Sequence, residues 1–212
     1  MNVNILFLDY ARHEFTERTQ ARNFSNAGYP FQYTIIQMKG ISAALNHGIA
    51  QSRHFDAVVT MANDILMPEN WLKRMVEAAE AIPNTGMCGI HTVEGINPVE
   101  TINGIQLHRQ SAAFGNVLIP MTAINKIGYF NPDFDPYGMQ DRDYSFRLEQ
   151  TGHINYYLHG LNAEHIGHDV GQDTPYRKMK DEGLQKCDQI WRECTKRYQE
   201  TNDYTIFLPE YP

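Results

Sequence analysis

Three short segments carry residue types that can act together on a substrate. In Thr60-Met61-Ala62-Asn63-Asp64 a carboxylate follows the apolar pair Val58-Val59. An Asp at the tip of a buried strand can hold a hard cation such as Mg²⁺ or Mn²⁺, which prefers oxygen ligands and commonly brings substrate phosphates as further ones. In Gln140-Asp141-Arg142-Asp143 two carboxylates stand at i and i+2 behind the loop Tyr137-Gly138-Met139. A helix start there would favour their ionised forms, and an ionised Asp beside a hydroxyl can serve as a general base. The segment Ala163-Glu164-His165-Ile166-Gly167-His168 adds imidazoles that can complete a metal shell. His165 and His168 are too close in the chain for both to be taken as ligands. Each segment also has a plain structural account. Asp64 can order the turn before a helix, Asp141 can cap a helix with Asp143 as its dipole partner, and a single His near a strand end is more often structural.

The elements that must position these residues alternate between strand and helix. Val3 to Leu8 is an apolar run of the kind buried on both faces. Polar Arg12 to Asn23 suits a helix, stopped by Asn26-Ala27-Gly28-Tyr29-Pro30. Phe31 to Met38 reads as a second strand, and Ile41, Leu45 and Ile49 then repeat at helical spacing. Phe55 to Met61 resumes strand character. Pro68 is expected to open a helix with an apolar face at Trp71, Met75, Ala78, Ala79 and Ile82. Gly86 to His91 and Phe114 to Ile119 read as strands, and Met121 to Ile127 as a short helix capped by Gly128. A helix over Asp141 to Gln150, a strand through Tyr156 to Leu158, and a C-terminal amphipathic helix marked by Leu184, Cys187, Trp191, Cys194 and Tyr198 complete the series. This order implies an α/β fold with a mainly parallel sheet and helices on both faces. Ligands bind such sheets outside the carboxyl ends of the strands, which is where the chemistry-bearing residues fall.

Composition limits the alternatives. The 212 residues suit one α/β domain over residues 1–170, with a C-terminal helix and tail at 171–212 packed on it. A formal charge of −7 argues against broad adhesion to nucleic acid or anionic membrane. Cys88, Cys187 and Cys194 form no paired framework, which fits a reducing compartment. No run approaches the roughly 18 apolar residues of a membrane span, and Met1 to Asp9 lacks the basic region of a signal peptide. A cytoplasmic protein without a membrane span is expected.

The order of the motifs resembles the family 2 glycosyltransferases and, more widely, inverting enzymes of the GT-A fold. Gly40-Ile41-Ser42-Ala43-Ala44-Leu45-Asn46-His47-Gly48 is similar to the family's nucleotide-side helix, and Asn63-Asp64 takes the place of its metal-binding Asp-x-Asp. Phe114-Gly115-Asn116, Ile127-Gly128-Tyr129-Phe130-Asn131 and Gln140-Asp141-Arg142-Asp143 follow in the family's order, and His165 or His168 falls at the late metal-binding His. The resemblance spans roughly residues 35 to 170 and implies a Rossmann-like GT-A domain. It also implies an inverting transferase that moves a sugar from a nucleotide-diphosphate donor, with UDP-sugars favoured, to a glycan or other hydroxyl acceptor. Mn²⁺ or Mg²⁺ would be the cofactor.

Carried over residue by residue, the resemblance makes Asp141 the catalytic base. Asp64 with His165, or alternatively His168, would hold the metal. Asp9, Gln37, Lys39, Asn46, Asn63, Gln140, Asp143 and Arg177 would contact substrate. The basic run Tyr176-Arg177-Lys178-Met179-Lys180 either folds over the diphosphate or forms a solvated helix face. Val93 to Ser111 reads as a variable loop on the acceptor side. The chain departs from the pattern where a neutral residue replaces the first acid of the Asp-x-Asp motif, where Gln140 replaces the usual Glu, and where no Asp follows Thr34-Ile35-Ile36. A sugar- or nucleotide-binding protein without catalysis is the alternative reading. A transferase acting on modified DNA bases is a narrower one, disfavoured by the charge and by the lack of a nucleic-acid motif.

Overall fold

The computed structural model describes residues 1–10, 13–92, 97–110, 116–167 and 173–208. In chain order the elements are β1 (Val3–Leu8), α1 (Thr16–Ser25), β2 (Gln32–Ile36), α2 (Ile41–Gln51), β3 (Ala57–Ala62), β4 (Ile65–Leu66), α3 (Trp71–Ala81) and β5 (Thr85–His91). There follow β6 (Val99–Ile102), β7 (Ile105–Arg109), β8 (Val117–Pro120), α4 (Met121–Ile127), α5 (Gln140–Gln150), β9 (Ile154–Asn162), β10 (Glu164–His165) and α6 (Pro175–Thr201).

Eight strands form one sheet in the order β2-β1-β3-β8-β5-β9-β7-β6. β1 runs parallel to β2 and β3, and β5 runs parallel to β9. β8 is antiparallel to both β3 and β5, and β7 is antiparallel to both β9 and β6. Six of the eight strands therefore point one way, with β7 and β8 reversed. The alternation of side chains along β1 explains the layers. Val3, Ile5 and Phe7 pack with Trp71, Leu72 and Met75 of α3 on one face, where Phe24 of α1 joins them. Leu6 packs on the other face with Leu45 and Ile49 of α2, Ile124 of α4 and Leu148 of α5. Both faces of the sheet are thus covered by helices.

Several elements depart from the sequence expectation. The first helix begins at Thr16, after a single 3-10 turn at His13–Phe15. α3 begins at Trp71 rather than at Pro68, because Asn70 takes a left-handed conformation (φ 57°) that Asn tolerates and a helix interior excludes. Within the supposed loop from Val93 to Ser111, β6 and β7 form a hairpin. Its turn is Asn103-Gly104, with φ of 48° and 82°. Asn-Gly between short apolar runs is the usual signal of a two-residue hairpin turn, so this element was readable. Residues 93–96 and 111 of that loop, and Phe114 and Gly115 of the next strand, lie outside the described residues.

The C-terminal segment packs closely on the rest of the chain. Cys187, Cys194 and Tyr198 of α6 form a third apolar cluster with Phe134, bordered by Phe146 and Trp191. Beyond α6 the chain pairs along Ile127 to Tyr129, with Ile206 N–H donating to Ile127 O (2.9 Å) and Tyr129 N–H to Ile206 O (2.8 Å). Gly128 (φ 78°) lies so close to the Ile206 carbonyl that no side chain fits there. Among the described residues no helix is long and apolar enough to cross a membrane.

Candidate active site

The register of the parallel strands brings the first group of polar residues together. Leu8 at the end of β1 is level with Ile36 on one side and Ala62 on the other. The next residues of the three strands, Asp9, Gln37 and Asn63, therefore emerge side by side. The Asp9 carboxylate accepts from Thr16 Oγ1 (2.6 Å), Gln37 Nε2 (2.9 Å) and Asn63 Nδ2 (3.4 Å), and His13 Nδ1 lies 2.8 Å away. Burial pushes this carboxyl up. The hydrogen bonds from Thr16, Gln37 and His13, with the His13 charge, outweigh it and leave Asp9 below the ordinary carboxylate value. An amide at position 63 suits this network, since a carboxylate there would face Asp9.

Asp64 follows Asn63 on a segment held from behind. The buried Asn23 side chain donates to Ile65 O (2.8 Å) and accepts from Met67 N (2.8 Å), while Trp71 Nε1 donates to Asn23 O (2.8 Å). β4 on this segment pairs antiparallel with β10, setting His165 opposite Ile65. That pairing brings His165 Nε2 to 3.2 Å from Asp64 Oδ2. Ile166 N–H donates to Asp64 O (2.9 Å), and Gly167 is so close to the Asp64 carboxylate that a β-carbon would collide with it. Asp64 therefore faces His165 and does not cap α3.

Asp141 stands in the first turn of α5, which Met139 enters with φ 56°. Gly138 N–H donates to Gln140 Oε1 (2.8 Å), so Gln140 closes the preceding loop. Burial raises the Asp141 carboxyl above its usual value, and the amides of Arg142 and Asp141 with the Arg142 charge offset only part of the rise. The helix terminus lowers this carboxyl as the sequence suggests, and burial wins.

One pocket of about 160 Å³ collects residues from all three segments: Asp64, Gln140, Asp141 and His165 line it together with Tyr137, Tyr176 and Lys180. An adjoining pocket shares Asp64, Tyr137 and Tyr176 and is lined further by Tyr10, Met38, Lys39 and Asn63. Three of the expected substrate contacts have partners within the chain. Asn46 is buried and bonds the backbone of Phe130 through both ends of its amide, at 2.9 and 2.8 Å. Asp143 is fully buried, 2.8 Å from Arg147 Nε, and accepts from Tyr198 OH at 2.9 Å. Arg177 pairs with Asp181 at 2.6 Å. Two residues two apart on a helix point about 200° apart, so Asp141 and Asp143 cannot share the pocket. His168 lies outside the described residues. Tyr176 and Lys180, at i, i+4 spacing on one helix face, are the members of the basic run that reach the pocket, whereas Tyr137 carries no local signal of its place there.

Among the described residues no group of three or more His, Cys, Asp or Glu side chains could by itself hold a metal ion. Asp64 and His165 fit a smaller role. Adjacent donors about 2.1 Å from a six-coordinate ion are about 3 Å apart, and these two are separated by 3.2 Å. Hard divalent cations commonly take few protein ligands, with substrate phosphates and water as the rest.

The fold is that of the GT-A glycosyltransferases. The structure of GalNAc-T7 with UDP, GalNAc and Mn2+ superposes with a TM-score of 0.64 at 11% identity, over 81% of this chain and 45% of that one. The mannosyltransferase PcManGT from Pyrobaculum calidifontis, in complex with GDP-Man and Mn2+, gives 0.59 at 14% identity over 80% and 58%. The catalytic domain of Drosophila beta1,4galactosyltransferase 7, complexed with xylobiose, gives 0.61 at 12% identity over 84% and 78%. The chain thus spans about half the length of the first two. No curated protein sequence matches it. Residues 6–149, more than half of the chain, match the family model described as Glycosyl transferase family 2, and the protein belongs to that family.

Proposed function

We propose that the protein transfers a sugar from a nucleotide-diphosphate donor to an acceptor hydroxyl, with inversion at the anomeric carbon. The observation that carries this reading is the convergence of Asp64, Asp141 and His165, from three separate segments, on one pocket. The donor's diphosphate lies beside Asp64 and His165, and its nucleoside extends into the adjoining pocket past Asn63 and Lys39. Asp9, itself bonded by Gln37, holds the Asn63 amide there. A divalent cation held by Asp64 and His165 would supply positive charge against the departing diphosphate. Asp141 takes the proton of the acceptor hydroxyl as its oxygen attacks the anomeric carbon, and the raised carboxyl value makes it a stronger base than a free Asp. Gln140 holds the loop that aims Asp141, and Asp143 with Arg147 anchors the helix beneath it. Support from outside the chain comes from the Mn2+ complexes with UDP and with GDP-Man on the same fold.

Incubation with UDP- and GDP-sugars, Mn²⁺ and a panel of hydroxyl acceptors, read by proton NMR, tests the proposal. The product should carry the anomeric configuration opposite to the donor's. A product of retained configuration would overturn it.

A further inference from the structure

Helix α2 begins without a cap of its own. Gly40 stands at its N-terminus (φ 90°) and offers no side chain to the amides of the first turn, which a helix leaves without internal partners. Asp135, far along the chain, supplies the acceptors. Its Oδ1 accepts from Ser42 N–H (2.8 Å) and its Oδ2 from Ala43 N–H (3.0 Å). Negative charge is stabilising at a helix N-terminus, and a carboxylate makes the stronger class of hydrogen bond there. A β-carbon on Gly40 would stand 2.8 Å from Asp135 Oδ2, so the glycine is what admits the carboxylate.

These two bonds tie together the two sides of the site. α2 is held by the core, through Leu45 and Ile49, and by the bonds of Asn46 to Phe130. Its start, with Lys39, Gly40 and Ile41, lines the adjoining pocket opposite Pro136 and Tyr137. Asp141 follows Asp135 by six residues and lines the first pocket with Ile41 and Tyr137. After Asp135 a longer bond to α2 follows, from Ile41 N–H to Pro136 O (3.4 Å). Behind the loop, Cys187 Sγ of α6 approaches Phe134 O (3.8 Å) and Tyr137 O (3.7 Å). A thiol is a weak donor, so those contacts back the loop without fixing it against α2. Asp135 lines neither pocket and can act there only through the residues it places.

Resting on the function proposed above, we infer that Asp135 is a positioning residue for the transfer, its carboxylate on the first turn of α2 setting where Asp141 stands relative to the bound donor. Without it, α2 keeps its place on the core and the loop keeps its backing from α6, but the two lose their register. The base then moves away from the line of attack while the donor side of the site stays whole.

Steady-state transfer, with calorimetric titration by UDP and by GDP in Mn²⁺, tests the inference on the parent protein and on Asp135→Ala, Asp135→Asn and Asp133→Ala, each below its melting midpoint. Ala removes both acceptors, whereas Asn keeps the shape and one accepting oxygen, so either serves if the other fails to fold. Both should lower kcat roughly 10- to 100-fold, the scale of a misplacement of about 1 Å. Affinity for the nucleotide that binds the parent should stay within about threefold, since only the transition state needs the base. A cap that served the fold alone would lower the melting temperature and leave kcat intact. Asp133 is exposed and two residues away, so Asp133→Ala removes the same charge and should transfer at the parental rate. A kcat within about twofold of the parent in the folded Asp135 variants would overturn the inference. So would equal losses of kcat and nucleotide affinity, which would put the effect of Asp135 on the donor side. A parent that transfers no sugar would instead remove the functional proposal on which the inference stands.

Discussion

His165 Nε2 and Asp64 Oδ2 lie 3.2 Å apart although 101 residues separate them in the chain. A two-residue strand pair, β4 with β10, makes the meeting, and Gly167 allows the chain to turn against the Asp64 carboxylate. If the pair is a cation site, His165→Ala should lower Mn²⁺ affinity by at least roughly tenfold, since changes to partners one layer further out already cost that much. Competition for Mn²⁺ in the presence of the bound nucleotide measures it. Unchanged affinity would remove His165 from the site.

Asp141→Asn is expected to separate activity from stability. The variant is nearly isosteric and lacks the base, so turnover should fall about 10²–10⁴-fold with little change in donor affinity. Its effect on stability follows from the sign of the shift. A carboxyl whose folded value is raised adds stability while protonated and loses it as pH rises through that value. Asn, which does not ionise, should therefore raise the melting temperature relative to the parent at neutral pH. The difference should shrink as pH falls toward the ordinary carboxylate value of 3.8. Melting curves at several pH values, with steady-state rates at neutral pH, check both halves. A variant less stable than the parent at neutral pH would contradict the burial argument.

The neighbouring acid should behave in the opposite way. Asp143 and Arg147 form a fully buried ion pair, and Arg147 also donates to Ile127 O (3.1 Å) and Tyr129 O (2.8 Å). Asp143→Ala leaves a buried guanidinium without its counter-charge, a loss of about 3–5 kcal/mol, or roughly 6–20 °C in melting temperature for a chain of this size. Asp143→Ala combined with Arg147→Met should regain part of that stability. Denaturant unfolding of the single and double variants gives the comparison. A single variant as stable as the parent would show that the pair does not hold the fold.

The parts of the site carried by strand order were legible in the sequence, because an apolar run followed by a polar residue marks the carboxyl end of a parallel strand. Asp64 and His165 were found that way, as was the place of Asp9. What the sequence hid was helical phase. Asp141 and Asp143 looked like a pair, yet one faces the pocket and the other the core. The Arg four residues beyond Asp143 was the available sign of an internal ion pair. In α6 the same phase sets Arg177 toward Asp181 and Lys180 toward the pocket. Asn46 sits on the expected helix, but its bonds to Phe130 depend on a contact 84 residues away that no local pattern reports. The Asn103-Gly104 turn is the local sign of the β6–β7 hairpin within what otherwise reads as a loop.

The proposed function requires Asp64 to hold a divalent cation against a donor diphosphate, and calorimetry measures that binding most directly. The parent protein and Asp64→Asn are titrated with UDP and with GDP, in Mn²⁺ and in excess chelator. The parent should bind one of the nucleotides far more tightly with Mn²⁺ than with chelator, and Asp64→Asn should show no such difference while keeping its fold. Equal nucleotide affinity in the two proteins with Mn²⁺ present, or no binding by the parent in any condition, would contradict it.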